Sequence, residues 1–330
     1  MSVKIKFLLT TIVAIVFLVS CGGIDDNDFV DSGEIARQDD ATISEFLTDN
    51  NITAEKDEDT GIYYTRDVEN ASGAEAEGKI CGIYYTANVV NGAVYDEYTE
   101  EDGESLLMLQ GSSAIVPVGL DFGLSLMKQG ETYTFYVPSQ RAYGGFSVST
   151  ILPPNAVIQI QVTVDRVLGE VDVLEMESEI IDNYIEENEL NDLDANPLEE
   201  VETLATGVRF KLLQEGAGTE LPEVDDFVSV FYKGTFLNGD IFDQTNSNTF
   251  DFNYSSSSVI SGFFEGTGLL NVGDKGLVIL PSNSAYGESV RVIPDLLTED
   301  LVNNGIIPGY TVSIKPYTVL LFEIEMVNIQ

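Results

Sequence analysis

The chain has no histidine and no tryptophan, two cysteines, and 15 lysines and arginines against 56 aspartates and glutamates. Each scarcity excludes something. Without histidine there is no Ser-His-Asp or Cys-His nucleophile and no His-ligated metal. Two cysteines make neither a disulfide framework nor a zinc cluster. A net charge of −41 lacks the basic stripe that phosphate contacts need, so nucleic acid is excluded as an electrostatic partner. The same charge opposes adsorption on an anionic membrane surface. There is no glycine-rich phosphate loop. Asp192, Asp194 and Asn196 have calcium-loop spacing, but Pro197 stands where glycine is required and Thr203 where glutamate is required. No cofactor and no metal site is expected. The surplus of acid reads as a solvated surface that resists aggregation. What remains is 330 residues, 44% hydrophobic and 10% aromatic, enough for about two domains.

Residues 1–20 read as a lipoprotein signal peptide. Lys4 and Lys6 precede an apolar run from Phe7 to Val19, too short to span a bilayer comfortably but right for a signal core. It ends Leu18-Val19-Ser20-Cys21, followed by Gly22-Gly23, which looks like a bacterial lipobox with Cys21 as the lipidated residue. The expected location is the cell envelope, lipid-anchored to the outer membrane, on its periplasmic or exposed side. Residues 21–39 are acidic, glycine-containing and without periodicity, and read as a disordered tether. Asp25, Asp26 and Asp28 resemble the surface-export signals of some lipoproteins, or simply form a solvated spacer. Cys81, between Ile80 and Gly82, reads as a small core residue.

The organising feature is an internal repeat. Tyr85, Asn91-Gly92 and Tyr95-Asp96 recur as Tyr232, Asn238-Gly239 and Phe242-Asp243, all at an offset of 147. Gly119, Gly130 and Ala142-Tyr143-Gly144 recur as Gly262, Gly273 and Ala285-Tyr286-Gly287 at an offset of 143. Leu152-Pro153-Pro154 and Ile160 recur as Ile314-Lys315-Pro316 and Phe322 at an offset of 162, so copy two has gained nineteen residues within 288–313. Each copy opens with a helix-like stretch, Ile43, Phe46 and Leu47 or Ile180, Ile181, Tyr184 and Ile185. A hairpin follows, turning at Asn-Gly. Next come a short helical piece (Leu120 to Met127, Phe263 to Leu270) and strands Thr132–Val137 and Lys275–Leu280, stopped by Pro138 and Pro281. An alternating last strand runs over Val157–Val164 or Val319–Met326. Five or six antiparallel strands wrapped over one short helix make an α+β fold, twice in tandem, over residues 40–169 and 170–330.

The order Tyr, Asn-Gly, Phe-Asp, Val-Ile-x-Gly-aromatic, Gly-Asp, Pro-x-x-x-Ala-Tyr-Gly, Ile-x-Pro and Phe resembles the FKBP-type peptidyl-prolyl isomerases, over about 95 residues of each copy. The lead-in helices resemble the N-terminal extensions of lipoproteins and periplasmic isomerases of that family. The resemblance implies isomerisation of X–Pro bonds in unfolded or extended polypeptides, a reaction that needs no proton transfer and so suits a chain without histidine. It implies a pocket in copy two. Tyr232, Phe242, Asp243 and Phe250 form one wall, Val259 and Ile260 an edge whose Ile260 N–H holds the substrate carbonyl. Phe263 is the floor where the family has tryptophan, Tyr286 supplies a hydroxyl, and Ile314 and Phe322 close the pocket.

Copy one departs from the pattern. Tyr85, Tyr95, Asp96 and Tyr143 remain, but Leu120 and Ile160 replace aromatics, and Pro117 falls where the backbone N–H is needed. It reads as a degenerate binding or spacing domain, with copy two the isomerase. The insertion, with a proline start at Pro294 and a glycine stop at Gly305, reads as a short helix: a lid, a substrate-selecting flap, or a decoration on the lead-in helix. The alternative function is a non-catalytic peptide-binding or assembly module reusing the fold.

Overall fold

The computed structural model describes residues 32–113, 115–148, 151–192, 200–290, 292–303 and 314–330; the expected signal segment and Cys21 lie outside them. Helix α1 (Ser32–Asp49) begins inside the stretch assigned above to the tether, so residues 32–39 are helical. The reason is a buried carboxylate. Asp39 accepts hydrogen bonds from the backbone N–H and the hydroxyl of Ser139, at 2.9 and 2.8 Å. Ile43, Phe46 and Leu47 share one face and pack with Tyr136 and Val157.

Copy one continues as β1 (Glu55–Lys56), β2 (Tyr63–Val68), β3 (Ile80–Val89), β4 (Val94–Tyr98), β5 (Leu106–Leu109), α2 (Val118–Leu124), β6 (Thr132–Val137) and β7 (Ile158–Leu168). Copy two follows as α3 (Glu170–Glu187), β8 (Glu202–Thr203), β9 (Arg209–Gln214), β10 (Phe227–Thr235), β11 (Ile241–Gln244), β12 (Phe250–Asn253), α4 (Ser261–Thr267), β13 (Lys275–Leu280), α5 (Asp295–Asn303) and β14 (Leu320–Ile329). Among the described residues each copy forms a seven-stranded antiparallel sheet. The first is ordered β1-β2-β6-β7-β3-β4 with β5 also on β3, the second β8-β9-β13-β14-β10-β11 with β12 also on β10. The two orders are identical strand for strand, and the fold is α+β as the repeat implied. Seven strands replace the five or six read from the sequence because β1 and β8 have two residues each, too short to show alternation.

Each short helix lies close on its sheet because glycine faces it. A Cβ on Gly262 would come within 2.3 Å of Leu280 and 3.0 Å of the Ser284 carbonyl; one on Gly119 would come within 2.3 Å of Val137 and 3.0 Å of the Arg141 carbonyl. The sheet-and-helix interiors are the two main cores, and Cys81 is fully buried in the first. Burial pushes its thiol up to about 12, so it serves as packing and not as a nucleophile.

Helix α3 repeats α1 and adds a second task. Ile181 and Ile185 pack on Leu277, Ile279, Val319 and Leu321 of its own sheet, whereas Val173 packs with Ile80 and Leu107 of copy one. Ile180, expected on the apolar face, is exposed. Glu177 takes the place of Asp39. It is 1% exposed, and its Oε2 accepts the Ser282 N–H at 2.9 Å. Each lead-in helix is thus keyed by a carboxylate to the turn after Pro138 or Pro281, and that turn leads into Ala-Tyr-Gly.

Candidate active site

In copy two, the β10–β11 hairpin, β12, the start of α4, the turn after β13 and β14 converge on a cavity of about 510 Å³. It is lined by Tyr232, Asp243, Phe250, Val259, Ile260, Phe263, Tyr286 and Phe322, all expected from the sequence, and by Ser257 and Ser258, which were not. The signal for the serines was the run Ser255–Ser258 just before Val259, which composition alone reads as a loop. Ile314 packs against the same core. Phe242 does not line the cavity: it is buried behind the wall, 5.3 Å from the ring of Phe236 and 5.4 Å from that of Phe322.

Alternation along the strands places these groups. In β10, Val228 and Val230 are buried, and Tyr232 continues on the same face. Its ring meets Phe250 at 5.7 Å and Phe263 at 5.6 Å edge-on, and Phe322 at 6.0 Å. Phe263 and Phe322 meet edge-on at 5.2 Å. Such edge-to-face contacts hold aromatic walls at fixed angles. The hydroxyl of Tyr232 donates to Asp243, and burial together with that hydrogen bond raises the Tyr232 pKa, so it stays a donor. Asp243 itself is exposed at the rim. Tyr286, 39% exposed, stands across the mouth. Ile260 is the N-cap of α4 with φ −59° and ψ 146°, and its N–H has no hydrogen-bond partner among the described residues. An apolar floor, a tyrosine–carboxylate rim and one available N–H can hold an extended peptide by a carbonyl and surround an amide with aromatic edges.

In copy one the same positions are filled differently. Tyr85 donates to Asp96 at 2.7 Å, and the hydroxyls of Tyr95 and Tyr143 lie 3.1 Å apart. Pro117 is the N-cap of α2, as Ile260 is of α4, so the N–H of Ile260 has no counterpart in copy one. The insertion of copy two packs here: Val292 and Leu297 are buried in the copy-one core, with Ile293 and Leu296 against it. These four residues of the insertion therefore cover copy one, which the three sequence readings did not include.

Asp96 is more enclosed than Asp243, and its pKa is pushed up to about 6, by burial first; the Tyr85 hydrogen bond opposes this and the charge of Asp295 adds to it. A carboxyl whose pKa is higher folded than unfolded binds its proton more tightly in the native state, so its contribution falls as pH rises from about 4 to about 6. Asp96→Asn, which keeps an acceptor for Tyr85 and does not titrate, should be more stable than wild type at pH 7.5 by about 1–2 kcal/mol. That advantage should vanish near pH 4. Urea midpoints at four pH values across this range check it; a pH-independent difference would remove Asp96 as the titrating group.

A family profile described as FKBP-type peptidyl-prolyl cis-trans isomerase matches residues 73–165 and 218–327, more than half of the chain. The chain belongs to the FKBP-type peptidyl-prolyl cis-trans isomerase family. It is 31% identical over 129 residues to a probable FKBP-type isomerase, FkpA, of Neisseria meningitidis serogroup B, covering 39% of this chain and 40% of that protein. It is 28% identical over 146 residues to the FKBP-type 22 kDa isomerase of Escherichia coli, covering 44% of this chain and 58% of that one. It is 31% identical over 130 residues to FK506-binding protein 1 of Candida glabrata, covering 39% of this chain and 97% of the yeast protein. The matched stretches thus span about half the length of the two bacterial relatives.

Proposed function

We propose that the protein is a peptidyl-prolyl cis-trans isomerase that assists folding of proline-containing polypeptides in the bacterial cell envelope, with its activity in copy two. The observation that carries this reading is the open aromatic cavity beside the available Ile260 N–H. Rotation about an X–Pro bond faces a barrier of about 18–20 kcal/mol from the amide's double-bond character. The twisted amide is less polar than the planar one, so an apolar cavity that strips water favours it. Walls that lower the barrier by about 6–7 kcal/mol speed the step roughly 10⁵-fold. Tyr232, Phe250, Phe263 and Phe322 supply the walls, the Ile260 N–H holds the carbonyl of the peptide, and Asp243 with Tyr286 forms the polar rim. Membership of the family and the likeness to named isomerases support the same reading.

Copy one is read as a binding or spacing unit, because Pro117 has no N–H to offer. Lipid attachment at Cys21 and the outer-membrane location belong to the proposal on the strength of the Leu18–Cys21 motif alone.

The test imports the copy-one proline into copy two. Ile260→Pro suits the existing φ of −59° and deletes the N–H. In the full chain it should lower X–Pro exchange, measured by NMR on a short peptide, at least tenfold. Unchanged exchange would take the activity out of this cleft.

A further inference from the structure

The nineteen-residue insertion lies between Tyr286, which lines the copy-two cavity, and Ile314, which packs on the copy-two core, yet its Val292, Ile293, Leu296 and Leu297 pack on copy one. Where they sit is specific. The Val116 N–H donates to the Val292 carbonyl at 3.0 Å, and Val292 forms a parallel bridge with Ile115. Val116 and Pro117 are the copy-one equivalents of Val259 and Ile260, by the 143-residue offset and by the matching N-cap positions. In copy two that edge lines an open cavity; in copy one it is bridged by Val292. Leu297, 2% exposed, completes the copy-one core beyond the edge, and α5 lies against β4, the strand that carries Tyr95 and Asp96.

The occupant resembles what the cleft would receive from outside. Residues 292–297 read Val-Ile-Pro-Asp-Leu-Leu, an apolar X–Pro segment: Val292 bridges the edge through its backbone, Pro294 leads into α5, and Leu297 in the first turn of that helix is buried in the copy-one core. The enclosure of Asp96 compared with Asp243 has the same cause, since Asp295 of the segment lies close enough to bear on both Tyr85 and Asp96.

We infer that the copy-one cleft is a peptide-binding site occupied in cis by residues 292–297, which act as a pseudosubstrate strap. The inference rests on the reading of copy one as a unit that binds without turnover. Beyond the insertion, Lys315, next to Ile314, also reaches copy one and places its Nζ 4.0 Å from the centre of the Tyr98 ring. Docking therefore ties the chain that leaves the copy-two cavity after Tyr286 to copy one. A client polypeptide that displaces the strap releases that segment, so capture at one cleft is linked to the freedom of the other. A tethered segment competes at an effective concentration on the order of millimolar, so a free peptide at micromolar concentration does not displace it.

The probe is a synthetic peptide with the sequence of residues 292–297, added to the full chain and to Leu297→Asp, with amide hydrogen exchange followed around Ile115 and Val116. Wild type should protect Val116 and show no change on adding about ten micromolar peptide, well below the tethered concentration. In Leu297→Asp the Val116 amide should exchange at least tenfold faster, and added peptide should restore protection there. If Leu297→Asp also loses protection in the β10–β14 ladder, the variant has unfolded and Val292→Asp is read in its place. No acceleration at Val116 would overturn the strap. Acceleration without rescue by peptide would overturn the binding site and leave only packing between copies. Neither readout depends on turnover, so an inactive copy two would defeat the proposed function and leave this inference standing.

Discussion

Asp243→Leu should leave the fold intact and lower kcat/KM for X–Pro isomerisation about tenfold to a hundredfold, equivalent to roughly 1.4–2.7 kcal/mol in the barrier. The stability half of that statement follows from position. Asp243 is exposed on β11 opposite Gly234, so leucine neither opens a cavity nor buries a charge. The folded state loses one rim hydrogen bond, from the Tyr232 hydroxyl, which water can replace. The cost should stay within about 1 kcal/mol. The catalytic half follows from what that hydrogen bond does. It fixes the hydroxyl of a ring that touches Phe250, Phe263 and Phe322, at the mouth where the substrate's polar atoms would lie. Melting temperature and kcat/KM measured together on this variant separate a rim residue from a structural one. Lower stability with an unchanged rate per folded molecule would make Asp243 a hairpin residue only and favour a non-catalytic peptide-binding protein.

The fold was legible because the chain states it twice. Offsets that change only at loops fix which strands correspond, and Pro138 and Pro281 end β6 and β13 where the sequence places those ends. The Asn-Gly hairpins were equally plain: Gly239 takes a φ of +89°, which an L side chain resists. The cavity was legible for a related reason, since the Tyr232 hydroxyl reaches Asp243 across one hairpin whose length the sequence sets. Three things were hidden, each decided by tertiary contact. Asp39 and Glu177 look like solvated helix carboxylates until Ser139 and Ser282 are brought against them. Asp243 follows a buried phenylalanine, yet its own place in the alternation faces outward. The destination of the insertion depends on how the copies dock, and Val173 of α3 on Ile80 and Leu107 belongs to the contact that sets this docking.

Phe322→Ala should do what Asp243→Leu does not, losing stability and activity together. Phe322 lies in β14 between β10 and β13, opposite Gly234 and Val278. Gly234 is what makes room for it: a Cβ there would sit 2.6 Å from Phe242 and 3.1 Å from Phe322. The ring joins the cavity wall to the packing behind it, touching Tyr232 and Phe263 on one side and Phe242 on the other. Truncation removes a buried aromatic and leaves a hole that β14, bonded on both edges, cannot close. The cost should be about 3–5 kcal/mol, a large part of the stability of a single domain. The rate should fall too, because Tyr232 and Phe263 lose the surface that sets their angle. Copy one supplies the control. Ile160 occupies the equivalent place, fully buried opposite Ala87 and Phe135. Ile160→Ala should cost about 2–5 kcal/mol by the same mechanism, with little effect on isomerisation. Urea titrations followed by circular dichroism, paired with kcat/KM, read all four quantities. Equal loss of activity in the two variants would mean that catalysis is shared between the copies, or that either one unfolds the other.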